Sequence, residues 1–159
     1  MGLLPLVLTA CSSSATSSTS TTTATTRSLC TEVQPAQIAA APGLKVSPAQ
    51  GTATKTTLTC TYKGTDLSKS VIILYGIDVT SAEFTSQAKK ANAAHGPITH
   101  VSHLGDAAYY FTVSAPGRRT ITTLVLVHGQ AEIVITSTAS VGHLVDLATQ
   151  ILTIFSAKA

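Results

Sequence analysis

The chain has 159 residues, of which 11% are charged and 4% aromatic, and its formal charge is +3 at pH 7. Soluble proteins carry about 25% charged residues, and the ten Lys and Arg here do not form the dense basic patch of a nucleic-acid-binding protein. No apolar run reaches the roughly 18 residues of a membrane span, and a hydrophobic content of 44% excludes a wholly disordered chain.

The first predicted element, residues 1–10, is part of a lipoprotein signal peptide. Leu8-Thr9-Ala10-Cys11 matches the bacterial lipobox, in which a branched apolar residue and two small residues precede a cysteine that carries diacylglycerol. The alternative is a chance match at the start of an apolar segment. A secretory signal has a basic start and about 7–15 apolar residues, whereas no charge precedes Cys11 here. We therefore expect an earlier translation start.

The next predicted element, residues 11–28, is a disordered tether that begins at the lipidated Cys11. Residues 12–26 contain 13 Ser or Thr and two Ala, so they have nothing apolar to bury. A tether of about 18 residues reaches roughly 23 Å. This order of parts predicts a protein held by its lipid on the extracytoplasmic face of the cell membrane, in the cell envelope.

The three cysteines agree with export. Once Cys11 is assigned to lipid, Cys30 and Cys60 remain as an even pair, which predicts a disulfide bond in an exported protein. The alternative is two unrelated buried thiols. The bond would close a loop of about 30 residues and add roughly 3–4 kcal/mol of stability. The two cysteines lack the ligand spacing of a zinc site.

Residues 29–159 form a single predicted domain that opens with a short helix. Pro35 suits the first helical turn, the helix continues to Ala41, and Pro42-Gly43 ends it. Residues 44–47 are compatible with a short strand, and residues 48–54 have the composition of a loop.

The middle of the domain alternates between strand and helix patterns. Residues 57–62 alternate apolar and Thr side chains, which predicts a half-buried strand. Residues 70–77 are apolar on both faces, so this strand is expected at the centre of a sheet. Thr80-Ser81-Ala82-Glu83 is a capping box, which predicts a helix to about Ala94 before Gly96-Pro97.

The last part of the chain predicts a run of strands and one helix. The strands are expected at residues 98–102, 107–113, 120–127 and 131–138, joined by turns too short for parallel crossovers. Ser140 precedes an apolar stripe that runs from Val141 to Phe155 at helical spacing. We therefore predict an α+β domain with a mainly antiparallel sheet of about five or six strands and helices packed on one face. We expect this domain to be a monomer.

Several of these features together resemble a known group. The lipobox, the Ser/Thr tether, Cys30, Cys60-Thr61-Tyr62 and the stretch Leu104-Gly105-Asp106-Ala107-Ala108-Tyr109-Tyr110 resemble small actinobacterial exported lipoproteins whose single domain has no known function. The resemblance covers most of residues 29–155. It implies a cell-envelope location and an α+β fold, and it implies no catalytic residues.

The candidate chemical groups do not form a recognisable catalytic or metal site in the sequence. His95, His100 and His103 lie close in sequence, but the predicted elements give them no convergent arrangement. Asp106 fits a turn in which it bonds its own backbone, and no acidic partner is placed beside it. A Gly-x-Ser-x-Gly nucleophile turn and a glycine-rich phosphate loop are both missing from the sequence. We expect no metal, no cofactor and no enzymatic activity.

A contact surface is the remaining candidate site. Tyr110 faces away from its neighbours Tyr109 and Phe111 on a strand, so one side of this aromatic run would lie on an open sheet face. Arg118 and Arg119 form a basic pair at a predicted hairpin tip and, like Lys89-Lys90, could contact anionic head groups. Solvated positions for these charges are the alternative.

These observations favour a non-enzymatic envelope lipoprotein whose domain binds another envelope protein or a small apolar ligand. One alternative is a structural surface lipoprotein without a specific ligand. Another is a hydrolase with an unrecognised site. A pocket of about 300 Å³ or more with convergent polar groups would favour binding or catalysis over the structural role.

Overall fold

The computed structural model describes residues 30–39, 45–64, 70–114 and 119–156. The predicted signal peptide, the predicted lipidation site Cys11 and the predicted tether therefore lie outside the described residues. So do Arg118 and the side chain of Phe155, the last member of the predicted helical stripe.

The described residues form seven strands and three helices with both ends described, and residues 30–32 are also helical. In chain order these are α1 Pro35–Ala39, β1 Gln50–Ala53, β2 Thr57–Tyr62, β3 Val71–Gly76, α2 Ser81–His95, β4 Thr99–His100, β5 Ala107–Val113, β6 Ile121–His128, β7 Ala131–Ser137 and α3 Val141–Ser156. The strands make one sheet in the order β1-β2-β3-β7-β6-β5-β4, and every neighbouring pair is antiparallel. The α+β class and the antiparallel sheet are thus confirmed.

The predicted number of five or six strands is wrong, because the sheet has seven. Strand β1 lies within the predicted loop 48–54, and all four of its residues are exposed. An edge strand with no buried side has no apolar alternation by which the sequence could mark it. Of the short strand predicted at residues 44–47, the described residues 45–47 contribute an isolated bridge between Val46 and Gly64, and residue 44 lies outside the described residues.

The prediction that the helices pack on one face is also wrong, because they cover both faces. Helix α3 packs on one face through Leu144, Leu147, Ala148 and Ile151, against Leu124, Leu126, Ile133 and Ile135. Helix α2 packs on the other face through Phe84 and Ala88, against Tyr109, Val125 and Val127. Strands β5 and β6 carry buried apolar side chains on both of their faces, so both faces need a cover.

The predicted disulfide bond is confirmed and ties the N-terminal helical segment to the sheet. Cys30 and Cys60 are bonded, with their Cα atoms 5.4 Å apart. The buried Tyr62, two residues along β2, donates its hydroxyl to the carbonyl oxygens of Cys30 at 3.2 Å and Val33 at 2.9 Å. Residues 30–39 are therefore held to the core face of β2 by one covalent bond and by hydrogen bonds.

The boundaries of α2 follow the predicted capping box. The Glu83 backbone N–H donates to Thr80 Oγ1 at 3.2 Å, and the Thr80 backbone N–H donates to Glu83 Oε2 at 2.8 Å. The helix ends at Gly96, whose φ of 86° lies in the left-handed region that glycine adopts without strain. Both ends of this helix could therefore be read from the sequence.

Candidate functional site

A groove of about 400 Å³ lies where the connection between β3 and α2 meets the exposed side of α2. Its volume falls within the range of small-ligand sites, about 300–1,000 Å³. It is lined by apolar side chains of this connection and by charged or amide side chains of the connection and of α2. The lining residues include Ile77, Asp78, Val79, Glu83, Gln87 and Lys90.

Backbone hydrogen bonds hold the connection that forms one wall of this groove. The N–H of Ile77 donates to the carbonyl of Thr56 at 3.0 Å, and the N–H of Val79 donates to the carbonyl of Gln130 at 3.0 Å. Asp78, between them, has a φ of 62°, a conformation that Asp and Asn tolerate better than other side chains do. The exposed Asp78 carboxylate is thereby presented at the groove.

The Glu83 carboxylate at the groove forms hydrogen bonds that cap the start of α2. It accepts hydrogen bonds from the backbone N–H of Thr80 and from the Thr80 hydroxyl. These hydrogen bonds lower the pKa of Glu83, the backbone bond most strongly. Glu83 is therefore a fixed negative charge at the groove, which makes it a poor proton donor.

A buried carboxyl group lies behind the groove. Glu132 in β7 is only 6% exposed and hydrogen-bonds the side chain of the groove residue Gln87. Beside it, a Cβ atom at Gly76 would lie 3.6 Å from Glu132 Oε2 and 3.4 Å from Val79 Cγ2. The carboxyl group therefore sits next to two lining residues, Val79 and Gln87, on the side facing the sheet.

Burial raises the pKa of Glu132, and the negative charge of Glu83 raises it further, while the hydrogen bond from Gln87 partly opposes both effects. Among the described residues, Glu132 Oε1 has no hydrogen-bond partner. Glu83 and Glu132 thus lie in one electrostatic environment although 49 positions separate them in the sequence. From the sequence, Glu83 was assigned to the capping box, and neither carboxyl group was placed beside Asp106.

The groove can hold a polar, charged ligand. Asp78 and Glu83 present carboxylates, Gln87 an amide and Lys90 an ammonium group, with Ile77 supplying an apolar wall. The described residues contain no group of three or more His, Cys, Asp or Glu side chains that could hold a metal ion.

The structure separates the members of the predicted contact surface. Tyr110 is half-buried and packs against the core beneath α3, so it does not lie on an open sheet face. Arg119 is exposed and precedes β6, beyond the pair Val113–Ile121 that ends the β5–β6 ladder. On the face that α2 covers in part, Ile72, Val113 and Ile121 are the exposed apolar side chains.

The candidate histidines also lie apart. The ring of His95 stacks on Phe111, with centroids 4.5 Å apart. His100 is in β4 at the sheet edge, and His103 is in the following turn with a φ of 60°.

Asp106 has a structural role in the described chain. Its Oδ2 accepts from the Gly129 backbone N–H at 2.6 Å, and its Oδ1 lies 3.6 Å from His128 Nδ1. Asp106 therefore helps to hold the β6–β7 hairpin through Gly129, whereas the sequence predicted a bond to its own backbone.

No sequence motif marks the groove, but one residue in the sequence indicates a polar site near it. Glu132 is the only charged residue of β7, a strand whose other side chains are apolar or small. A carboxyl group in a central strand that other elements cover is buried, and a buried carboxyl group needs a polar partner. Its partner Gln87 comes from α2, a helix that was predicted to pack on the same face of the sheet as the final helix.

Comparison of the chain with known protein families, with curated proteins and with solved structures gives no match. None of the described helices is long and apolar enough to cross a membrane.

Proposed function

We propose that the chain is a lipid-anchored lipoprotein of the cell envelope whose domain is a non-enzymatic binding module. The observation that carries the location is the lipobox at Cys11 followed by a Ser/Thr tether. The Cys30–Cys60 disulfide supports it, because such bonds persist in oxidising, extracytoplasmic compartments. We include in this proposal that the chain is related to the small exported lipoproteins that it resembles.

The groove beside α2 is the proposed ligand site. Its lining of two carboxylates, one amide and one ammonium group favours a polar envelope component over a small apolar ligand. A peptide with a free amino group and a free carboxylate would pair the first with Asp78 and the second with Lys90. Peptidoglycan stem peptides have this chemistry, and they are accessible to a domain tethered close to the membrane.

A peptide titration monitored by nuclear magnetic resonance tests this proposal. A soluble peptidoglycan stem peptide is added to the labelled protein, and we expect shifts in the amide signals of residues 77–90. Lys90→Ala should weaken binding several-fold, whereas Lys89→Ala, an adjacent exposed lysine outside the groove lining, should not. Asp78→Asn tests the carboxylate without disturbing the left-handed backbone conformation.

Equal weakening by the two lysine variants would contradict the site. Absence of shifts at millimolar peptide would favour the alternative of a structural surface lipoprotein without a specific ligand.

One contact keeps the hydrolase alternative testable. Ser140 Oγ lies 2.7 Å from His143 Nδ1 at the start of α3, and a hydroxyl beside an imidazole is the pair that nucleophilic catalysis needs. Both residues lie at the start of α3, a position at which serine is common for structural reasons alone. Ester hydrolysis that Ser140→Ala abolishes would establish catalysis and overturn the non-enzymatic proposal.

A further inference from the structure

Helix α2 is held to the sheet by a small apolar contact. Of its 15 residues only Phe84 and Ala88 are buried, and Ala91 packs beside them half-buried. Helix α3, of 16 residues, buries four apolar side chains, Leu144, Leu147, Ala148 and Ile151. Because packing of the apolar face supplies most of a helix's stability in a protein, α2 is the helix whose docking is easier to disturb.

Glu132 lies under this weakly docked helix. It is opposite Gly76 of β3 and Val127 of β6, so neither neighbouring strand offers it a polar side chain. Its contact across the interface is Gln87 of α2. A neutral carboxyl group fits this place, whereas a carboxylate would be a buried charge with one amide as its partner, an arrangement that proteins avoid.

The other ionisable groups around Glu132 do not supply a positive partner close to it. From α2, Glu83 adds negative charge, and Lys90 lies at the exposed side of the groove; from the β3–α2 connection, Asp78 is also exposed. On β5, burial raises the pKa of Tyr109 most strongly, and the charge of the nearby Glu132 raises it further. Burial is the largest cause of the raised pKa of Glu132, and the charge of Glu83 adds to it.

We propose that Glu132 is a proton-controlled latch. In its neutral form it holds the N-terminal half of α2 against the sheet, and in its ionised form it releases this half and widens the adjoining groove. The latch goes beyond the proposed binding function, and its test needs no ligand. A domain displayed outside the cell membrane would be exposed to changes of external pH that could operate it.

The direction of the pH effect follows from the raised pKa of Glu132. The undocked state, in which the side chain meets water, loses its proton near the ordinary pKa of about 4.3. The docked state keeps its proton to higher pH. Docking of α2 is therefore fully favoured at low pH and is lost as pH rises through the raised pKa, with opening increasing by up to about tenfold per pH unit.

Amide hydrogen exchange of the full chain, with the disulfide intact, tests the latch. After correction for the intrinsic exchange rate at each pH, protection of the amides at residues 84–90 should fall with rising pH while protection of β6 and β7 stays constant. Glu132→Gln keeps the shape and cannot ionise, so its α2 should remain protected over the whole range. Glu83→Gln keeps a capping box but removes the charge that helps raise the pKa of Glu132, so it should retain the loss of protection with its midpoint moved to lower pH.

The carboxyl ¹³C signal of Glu132 in the unmodified chain gives a second measurement that does not depend on a variant folding. Its midpoint should lie above the ordinary value and coincide with the loss of α2 protection. An ordinary midpoint, or the same loss of protection in Glu132→Gln as in the unmodified chain, would overturn the proposal. These outcomes are separate from those of the peptide titration, since neither uses a ligand.

Discussion

Replacing both Cys30 and Cys60 by Ala should remove a large share of the stability of the domain. The bond joins residues 30 positions apart, and the chain entropy of a loop of that length corresponds to about 3–4 kcal/mol. Both sites are buried and close-packed: a Cβ at Gly51 would lie 3.0 Å from Cys30 Sγ. For a domain of this size the midpoint of thermal unfolding should fall by roughly 10–20 °C.

Urea unfolding followed by circular dichroism measures this loss, with the linear extrapolation giving the free energy of unfolding. Cys11→Ala is the control, because Cys11 precedes the domain and should leave the free energy of unfolding unchanged. Reduction of the unmodified chain should reproduce the double variant. A loss below about 1 kcal/mol would show that the bond does not stabilise the domain by restricting the unfolded chain.

Three further outcomes are expected. Tyr62→Phe should cost about 1–2 kcal/mol because it removes the donor to two buried carbonyls. Burial raises the pKa of Tyr62 in the folded chain to about 12. The stability that this shift adds is present below about pH 10 and is lost as pH rises through the folded-state pKa. Urea unfolding of the phenylalanine variant should therefore lack the part of the alkaline loss that Tyr62 causes. Phe84→Ala should cost about 3–5 kcal/mol and weaken amide protection in α2 before that in α3, whereas equal weakening would show that the two helices do not dock independently. EDTA should leave the thermal midpoint unchanged, and a drop that zinc reverses would establish a structural metal.

Much of the fold could be predicted because local patterns and tertiary structure agree there. The alternation in residues 57–62, the capping box at Thr80 and the apolar stripe after Ser140 each identified an element that the structure contains. Strand β1 escaped prediction because its exposed residues have no apolar face. The side of the sheet on which α2 packs escaped it because a sequence period shows that a helix has an apolar side and does not show which surface that side meets.

The candidate site was harder to predict, since it depends on long-range contacts. Glu132 and Gln87 come from separate elements and meet only because the connection after β3 carries the chain to the second face of the sheet. Neither residue belongs to a spaced motif. Tyr110, in contrast, was correctly placed on the opposite face from Tyr109, but the face predicted to be open is the one that α3 covers.

The central claim, that the chain is anchored by lipid at Cys11, is tested most directly by mass spectrometry of the mature N-terminus from isolated membranes. If lipid anchors the chain, the N-terminal peptide should begin at Cys11 and carry diacylglycerol, and a Cys11→Ala variant should be released from the membrane or remain uncleaved. A mature protein that begins at another residue, or a variant with unchanged cleavage and unchanged membrane association, would contradict it.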